Sequence, residues 1–134
     1  LRAVSYGEDG RELAESFLET AGRETVLTVH ADKTVLKANG EDLAFIDVAL
    51  TDKRGIVKNL KKQKVYVLVE GAGVLEAVGS ANPRTTEAYT GNYFTTYQGR
   101  MQAVIRSGHE TGGGRVRISA DGMEPKEIQF NTVE

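Results

Sequence analysis

Residues 64–83 read KVYVLVEGAGVLEAVGSANP, and this stretch decides the fold that the sequence predicts. It is the most hydrophobic part of the chain, so we expect it to lie in the core. Its first half alternates, and we expect Val65, Val67 and Val69 to face inward as one side of a strand. The glycine-rich residues 71–73 then break the pattern before a second apolar strand. We therefore predict a central pair of strands around a tight turn.

A period of two continues on both sides of this stretch and predicts further strands. Upstream, Leu27, Val29 and Ala31 alternate with polar neighbours. Seven or more short strands at spacings of about ten residues, joined by turn signals, are typical of an antiparallel sandwich. The sequence therefore predicts an all-β fold, an immunoglobulin-like antiparallel β-sandwich of about seven to nine strands over residues 24–134. Other segments with strand patterns are 34–38, 44–50, 101–105, 116–120 and 128–130.

Residues 1–23 follow a different pattern. Apolar residues recur there at helical spacing, which predicts a short helix between Asp9 and Gly22. The alternative is a pair of strands from a preceding domain, followed by a linker over 20–24. Because the chain begins at Leu1 and not at methionine, we expect it to be a piece of a larger protein. Residues 1–23 would then be the end of a preceding domain and a linker.

Two long loops are expected between the later strands. Residues 80–98 are polar and aromatic without clean alternation, so we expect an irregular crossover that contains short strand pieces. Residues 107–114 are rich in glycine. We expect them to form a hairpin loop that joins the strand around Ala103 to a partner strand around Ile118.

Composition excludes several classes of function. The 17 basic and 19 acidic residues give a net charge of −2 and are spread along the chain, so no nucleic-acid partner is expected. There are no cysteines, and His30 and His109 lie far apart, so neither a disulfide nor a zinc site is predicted. No apolar run reaches the roughly 18 residues of a membrane span, so no membrane insertion is expected. No cofactor is expected either.

The glycines at 71 and 73 follow an apolar strand, as glycines do at the start of a dinucleotide-binding turn. The third glycine of that motif is absent. Glu76 stands in its place, where a carboxylate would repel a pyrophosphate. We expect instead that the two glycines allow a sharp turn between strands.

The chain contains residue types that can catalyse hydrolysis, but their positions in the sequence do not form a catalytic motif. Ser107 and His109 are close in sequence, but they belong to a glycine-rich loop and not to the strained turn that a nucleophilic serine needs. Glu70, Glu76 and Glu87 could act on a glycosidic bond only if two of them were held across a cleft. A sandwich of this size offers no deep cleft, so no catalytic residue is assigned.

The aromatic segment 89–97 is the strongest binding candidate in the sequence. Tyr89, Tyr93, Phe94 and Tyr97 could expose rings on which pyranose units stack, which predicts a carbohydrate-binding site. The alternative is that these rings pack over the open end of the sandwich and anchor the crossover, while their hydroxyls stay in water. Both interpretations stay open at the level of sequence.

Three segments, taken together and in order, resemble a known family. They are 37–48 (KANGEDLAFIDV), 67–83 (VLVEGAGVLEAVGSANP) and 99–107 (GRMQAVIRS). They resemble the C-terminal immunoglobulin-like domain of glycoside hydrolase family 2 enzymes, which are β-galactosidase-like proteins. The leading residues resemble the end of the domain that precedes it in such enzymes. One departure is the sequence GSANP at 79–83, where the family usually carries a Gly-Asn-Gly-Asp-Pro-like turn.

The resemblance implies a context for the chain. The family's catalytic acid and nucleophile are two glutamates of a central barrel domain, upstream of the matching part, so no catalytic residue is carried over. The resemblance implies a non-catalytic accessory domain of a β-galactosidase-like glycosidase. Its expected partners are the other domains of that parent, with a carbohydrate or a second subunit as further candidates.

The same context favours an extracytoplasmic location, periplasmic or secreted, in a bacterium. Two other functions remain as hypotheses. One is a carbohydrate-binding module that uses the aromatic segment, and the other is a sandwich that serves as an adhesion or surface-spacer unit.

Overall fold

The computed structural model describes residues 24–58, 61–82 and 87–134. The helix or strand pair expected within residues 1–23 lies outside these ranges. The described residues form nine β-strands and no helix, so this part of the chain contains no helix long and apolar enough to cross a membrane. The strands are β1 (Val26–Ala31), β2 (Val35–Lys37), β3 (Leu43–Thr51), β4 (Lys64–Gly71), β5 (Gly73–Gly79), β6 (Tyr93–Thr95), β7 (Arg100–Ser107), β8 (Gly112–Ser119) and β9 (Lys126–Val133).

The strands form two sheets that enclose one core. The four-stranded sheet has the order β1-β3-β7-β5, and the five-stranded sheet has the order β2-β9-β8-β4-β6. Neighbouring strands are antiparallel except β2 and β9, which pair in parallel at one edge. The predicted all-β, immunoglobulin-like sandwich of about seven to nine strands is confirmed, with one parallel pair that the pattern does not reveal.

Alternation along the strands builds the core. In β4, Val65 and Val67 are buried and Val69 is half-buried, as the period of two predicts, whereas Tyr66 and Leu68 face the solvent. Each fully buried side chain of this size stabilises the fold by about 1.5–3 kcal/mol relative to exposure. The largest fully buried side chains outside β4 are Leu27, Leu36, Ile46, Val48, Leu50, Val78, Phe94, Ile105, Val116 and Ile118.

The predicted central pair of strands around residues 71–73 is wrong. β4 lies inside the five-stranded sheet, between β8 and β6, whereas β5 is an edge strand of the four-stranded sheet. The chain therefore crosses from one sheet to the other at these residues. Gly71 has a φ of 96°, a conformation that side chains rarely adopt, so this glycine has the backbone role that was expected. The pairing was missed because alternation indicates which side of a strand is buried and not which strand lies beside it.

The predicted hairpin loop at 107–114 is also wrong. β7 pairs with β3 and β5 in one sheet, and β8 pairs with β4 and β9 in the other. Both sides of each strand are thus occupied, so β7 and β8 cannot pair with each other. β8 already begins at Gly112, and residues 108–111 cross between the sheets. Glycine-rich composition indicates a turn but does not indicate which sheet the next strand joins.

The first crossing, residues 71–73, touches the second crossing and the first residues of β8, together residues 108–114. We call these two segments the double crossing. Ala72 is held from both sides. Its N–H donates to the carbonyl oxygen of Gly113 at 3.1 Å, and its carbonyl oxygen accepts from the N–H of Gly108 at 2.9 Å. The points where β4 and β7 each leave their sheet are therefore fastened together by backbone hydrogen bonds.

Small residues are required at the double crossing because backbone and ring atoms approach closely there. A Cβ on Gly71 would collide with the carbonyl of Gly113 and would lie 2.6 Å from the Cα of Gly114. The ring of Phe130 covers Gly114 and lies 3.0 Å from where a Cβ of Gly73 would be. Phe130 itself is buried. One aromatic side chain thus fills the space that Gly73 and Gly114 leave open.

The crossover after β5 contains one short strand, β6, within its described part, as expected for an irregular segment with short strand pieces. Its backbone bonds to both sheets. The N–H of Val78 in β5 donates to the carbonyl oxygen of Tyr89 at 2.8 Å, and the N–H of Val67 in β4 donates to that of Asn92 at 2.8 Å. The crossover therefore closes the side of the sandwich between β5 and β4.

The turn between β2 and β3 is organised by Asp42. Its carboxylate accepts hydrogen bonds from the backbone N–H groups of Lys37 at 2.8 Å and Leu43 at 3.0 Å, and it pairs with the Lys33 ammonium. The side-chain oxygen of Asn39 accepts from the N–H of Asp42 at 3.0 Å. The hydrogen bond from Lys33, followed by that from Lys37, lowers the pKa of Asp42 below its ordinary value.

Replacement of Gly71 by alanine should destabilise the fold more than the same change at Gly55. Both glycines have positive φ, 96° and 88°, so both variants incur the left-handed cost of about 1–2 kcal/mol. At Gly55 no described atom lies within 4 Å of the new methyl group, whereas at Gly71 it meets backbone. We expect the free energy of unfolding to fall by about 1 kcal/mol for Gly55→Ala and by at least about 3 kcal/mol for Gly71→Ala in urea denaturation. Equal losses would contradict the close contact at the double crossing.

The pKa of Asp42 gives a second test. Because the folded pKa lies below the ordinary value of 3.8, the ionised carboxylate stabilises the fold above that pH, and this contribution is lost as the pH falls through the folded pKa. An NMR titration should therefore give a pKa below 3.8 for Asp42, and Lys33→Met should raise it. Lys53→Met removes a lysine that pairs with Glu24 and should leave the Asp42 titration unchanged. An identical Asp42 pKa in the wild type and Lys33→Met would refute this account.

Candidate functional site

A groove of about 760 Å³ lies on the outer side of β5 and β7 in the four-stranded sheet. Its wall combines small apolar residues of β5 with aromatic and polar side chains from β3, β7 and the crossover between β5 and β7. The side chains that give the groove its chemical character are Asp47, Tyr89, Tyr97, Gln98, Arg100 and Gln102.

The pairing of β3, β7 and β5 brings together the residues that form the polar side of the groove. Asp47 of β3 is opposite Gln102 of β7, which in turn is opposite Gly79 of β5. The Gln102 side-chain amide donates from Nε2 to Oδ1 of Asp47 at 3.0 Å. Gly79 has no side chain, and a Cβ there would lie 3.1 Å from the ring of Tyr89. The row across the three strands therefore presents a carboxylate, an amide and an open backbone position beside an aromatic ring.

A tight turn places Tyr97 at this groove. The N–H of Tyr97 donates to the carbonyl oxygen of Arg100 at 2.9 Å, and the N–H of Arg100 donates back at 3.1 Å. Gln98 and Gly99 both have positive φ, 52° and 76°, as in a type I′ turn. Among the described residues, Gln98 is the one non-glycine residue with positive φ. The turn holds the Tyr97 ring and the Arg100 side chain beside the same groove.

The four aromatic residues singled out in the sequence lie in three environments. Phe94 is fully buried in the core. The exposed ring of Tyr89 stacks on Phe94, with centroids 5.4 Å apart and planes 15° apart. Tyr97 is half-buried at the groove, and Tyr93 lies on the outer face of the five-stranded sheet. The segment therefore does not present one platform of four rings, and sugar binding by its exposed tyrosines stays a prediction.

The outer face of the five-stranded sheet carries a second group of exposed apolar side chains. Tyr66, Leu68 and Tyr93 are 39%, 53% and 37% exposed, and we call them the apolar patch. The rings of Tyr66 and Tyr93 lie 5.9 Å apart, and Lys64 Nζ lies 4.6 Å from the centre of the Tyr93 ring. Alternation in β4 predicts that Tyr66 and Leu68 face outward, but the pairing with Tyr93 depends on the register of β4 with β6.

The glutamates considered for acid–base chemistry are engaged with other side chains. Glu70 pairs with Arg115 at 2.8 Å, and its carboxylate raises the pKa of that guanidinium. Glu76 pairs with Arg106 at 2.8 Å. The Glu87 carboxylate accepts from the hydroxyl of Thr95 at 2.7 Å and from its backbone N–H at 2.8 Å. Glu70 and Glu76 thus form surface ion pairs, and the Glu87 carboxylate anchors a loop.

Ser107 and His109 take part in packing at the end of the sandwich. Ser107 is buried, and its hydroxyl oxygen accepts from the N–H of Asp42 at 3.3 Å. The ring of His109 lies over Gly40, where a Cβ would be 2.5 Å from the ring. No group of three or more metal-ligating side chains occurs within the ranges 24–58, 61–82 and 87–134.

The groove residues Asp47, Arg100 and Gln102 were not singled out from the sequence. Asp47 and Gln102 are 55 positions apart, and neither belongs to a short motif. Their outward position follows from alternation in β3 and β7. Their proximity follows from the pairing of those strands, for which the sequence contains no local signal.

Comparisons with known proteins bear on the resemblance noted in the sequence. The family model for glycoside hydrolase family 2 C-terminal domain 5 matches residues 27–129. The chain is 24% identical over 127 residues to the beta-galactosidase BoGH2A of Bacteroides ovatus, a match that covers 95% of this chain and 15% of that protein.

Solved structures give the same result. A glycosyl hydrolase family 2 member from Bacteroides cellulosilyticus superposes with a TM-score of 0.86 at 32% identity, over 99% of this chain and 17% of that chain. A beta-glycosidase from Bacteroides vulgatus has the same fold, with a TM-score of 0.82 at 20% identity over 98% of this chain and 17% of that one.

The chain thus spans only 15% of the length of its curated relative and 17% of each solved relative. The family match over 27–129 includes most of the sandwich, and the resemblance expected from the sequence is confirmed. The chain belongs to the glycoside hydrolase family 2 C-terminal domain 5 family.

Proposed function

We propose that this chain is a non-catalytic accessory domain of a larger β-galactosidase-like glycosidase, in which it stabilises neighbouring domains or a subunit interface. The observation that carries the proposal is the family match over 27–129 together with the 15% share of the curated relative's length. In this proposal residues 24–134 are the accessory sandwich, and residues 1–23 are the end of a preceding domain and a linker.

The contacts of the carboxylates support a non-catalytic role. Glycosidic hydrolysis uses two carboxyl groups that flank the scissile bond, about 5–10 Å apart, one of which is held protonated as the acid. Glu70 and Glu76 each face an arginine across a pair of strands. Both carboxylates are thus engaged in ion pairs on the surface, which are the ordinary contacts of exposed charged side chains.

The apolar patch supports a structural contact with another part of the parent protein. Leu68 is more than half exposed in the 134-residue chain, beside two partly exposed tyrosine rings. Arg115, Arg117 and Glu127 form a charged border on the neighbouring strands. An apolar centre with a charged rim is typical of contacts between protein surfaces. The extra length of the relatives provides neighbouring domains as the occupant.

Deletion of residues 24–134 from the full-length protein tests the accessory role. We expect turnover of an aryl β-galactoside to stay within about tenfold of the intact enzyme, because the reacting groups lie elsewhere. The midpoint of thermal unfolding should fall, because contacts with the sandwich are lost. Complete loss of turnover in a deletion variant that is folded and correctly assembled would overturn the proposal.

Leu68→Glu tests the apolar patch as the contact surface. In the 134-residue chain the new carboxylate lies opposite Arg117 of the neighbouring strand β8. The free energy of unfolding should therefore change by about 0.5 kcal/mol or less. In the full-length protein the charge would be buried against a neighbour. There the thermal transition of this domain should fall by at least about 4 °C.

Val74→Glu is the matched control for this experiment. Val74 is 45% exposed on the four-stranded sheet and lies opposite Arg106 of the neighbouring strand β7, so its environment resembles that of Leu68. We expect it to have the same small effect in both proteins. If Leu68→Glu were as harmless as Val74→Glu in the full-length protein, the apolar patch would not be the contact.

A further inference from the structure

We propose that the groove on the outer side of β5 and β7 is a binding site for a neutral saccharide. This proposal goes beyond the accessory role and does not depend on it. The groove volume of about 760 Å³ lies within the range of roughly 300–1,000 Å³ that is usual for small-molecule sites. The groove is open along one side, and its volume is large enough for a ligand of more than one ring.

The polar groups of the groove match a row of sugar hydroxyls. Asp47 and Gln102 are joined by one hydrogen bond at the surface, from Nε2 to Oδ1, which holds the two planar groups side by side. No described residue bonds to the other oxygen of Asp47 or to the side-chain oxygen of Gln102. These two acceptors therefore remain available to hydroxyl donors, and hydrogen bonds to an ionised acceptor are the stronger kind.

The charges of the groove favour a neutral ligand. Asp47 supplies one negative charge, and the guanidinium of Arg100 supplies one positive charge. Within the described part of the chain the Arg100 guanidinium has no hydrogen-bonding partner. An anionic ligand would meet the Asp47 carboxylate, and a cationic ligand would meet Arg100. A polyhydroxyl ligand can instead donate to the carboxylate and accept from the guanidinium.

Two tyrosine rings supply the apolar part of the site. A pyranose ring has a face of C–H groups, which packs on aromatic rings, and a rim of hydroxyl groups. Tyr97 is positioned by the Gln98–Gly99 turn, and Tyr89 is fixed by stacking on Phe94. Rings that are already held in place lose little conformational entropy when a ligand binds. The site is thus largely preorganised.

The mixed lining also distinguishes this groove from the apolar patch. A surface that docks a protein segment is expected to have an apolar centre, and that character belongs to Tyr66 and Leu68 on the opposite sheet. The wall of the groove itself contains charged and amide groups, from Asp47, Arg100 and Gln102. Polar groups and aromatic rings in one wall fit a hydroxyl-rich small molecule better.

The test is an NMR titration of the 134-residue chain with neutral galacto-, gluco- and xylo-oligosaccharides, each up to about 10 mM. At least one of them should shift backbone amide signals of groove residues, with a dissociation constant at or below about 1 mM. Tyr97→Ala and Gln102→Ala should each weaken that affinity by about tenfold or more. Tyr66→Ala removes an exposed tyrosine from the other sheet and should leave the affinity unchanged.

Asp47→Asn keeps the shape of the groove but removes its negative charge. It should weaken binding while the urea unfolding midpoint stays that of the wild type, which separates a lost ligand contact from a lost fold. Three results would overturn the proposal. They are the absence of shifts with every oligosaccharide, shifts centred on the apolar patch, and an affinity that survives both Tyr97→Ala and Gln102→Ala.

Discussion

The contact between the two sheet crossings is the constraint on which the rest of the structure depends. Ala72 bonds to Gly108 on one side and to Gly113 on the other, so the chain is fastened at the place where it twice changes sheets. The backbones reach hydrogen-bonding distance because the glycines there carry no side chain. The Phe130 ring then closes this end of the core. A displaced crossing would remove β5 from one sheet and β8 from the other.

The position of β5 at an edge of the four-stranded sheet is what creates the groove. The chain leaves β5 and folds back so that the carbonyl of Tyr89 accepts from Val78 and its ring lies against Gly79. If β5 had paired with β4, as a local hairpin would require, these groups would lie on the five-stranded sheet. The row formed by Asp47 and Gln102 would then lack the Tyr89 ring on its β5 side. The same crossing therefore determines both the topology and the candidate binding surface.

The outer faces contribute little to the stability of the sandwich and are therefore available for function. Half-exposed ion pairs such as Glu70 with Arg115 contribute little to stability, because water and salt screen them. Buried side chains such as Leu50, Phe94 and Ile118 contribute more per residue. The two faces carry different chemistry, a mixed groove on one and the apolar patch on the other. The two proposed functions thus use separate surfaces of the sandwich.

The sequence by itself determined the all-β class, the buried side of β4 and the family. These follow from the period of two, from turn residues and from short motifs, all of which are local. Only the tertiary structure decided that residues 71–73 and 108–111 cross between sheets, because an alternating strand has the same pattern in either sheet. It also decided the composition of the groove. Asp47 and Gln102 are 55 positions apart and meet only through the pairing of β3 with β7, which depends on contacts between residues far apart in the chain.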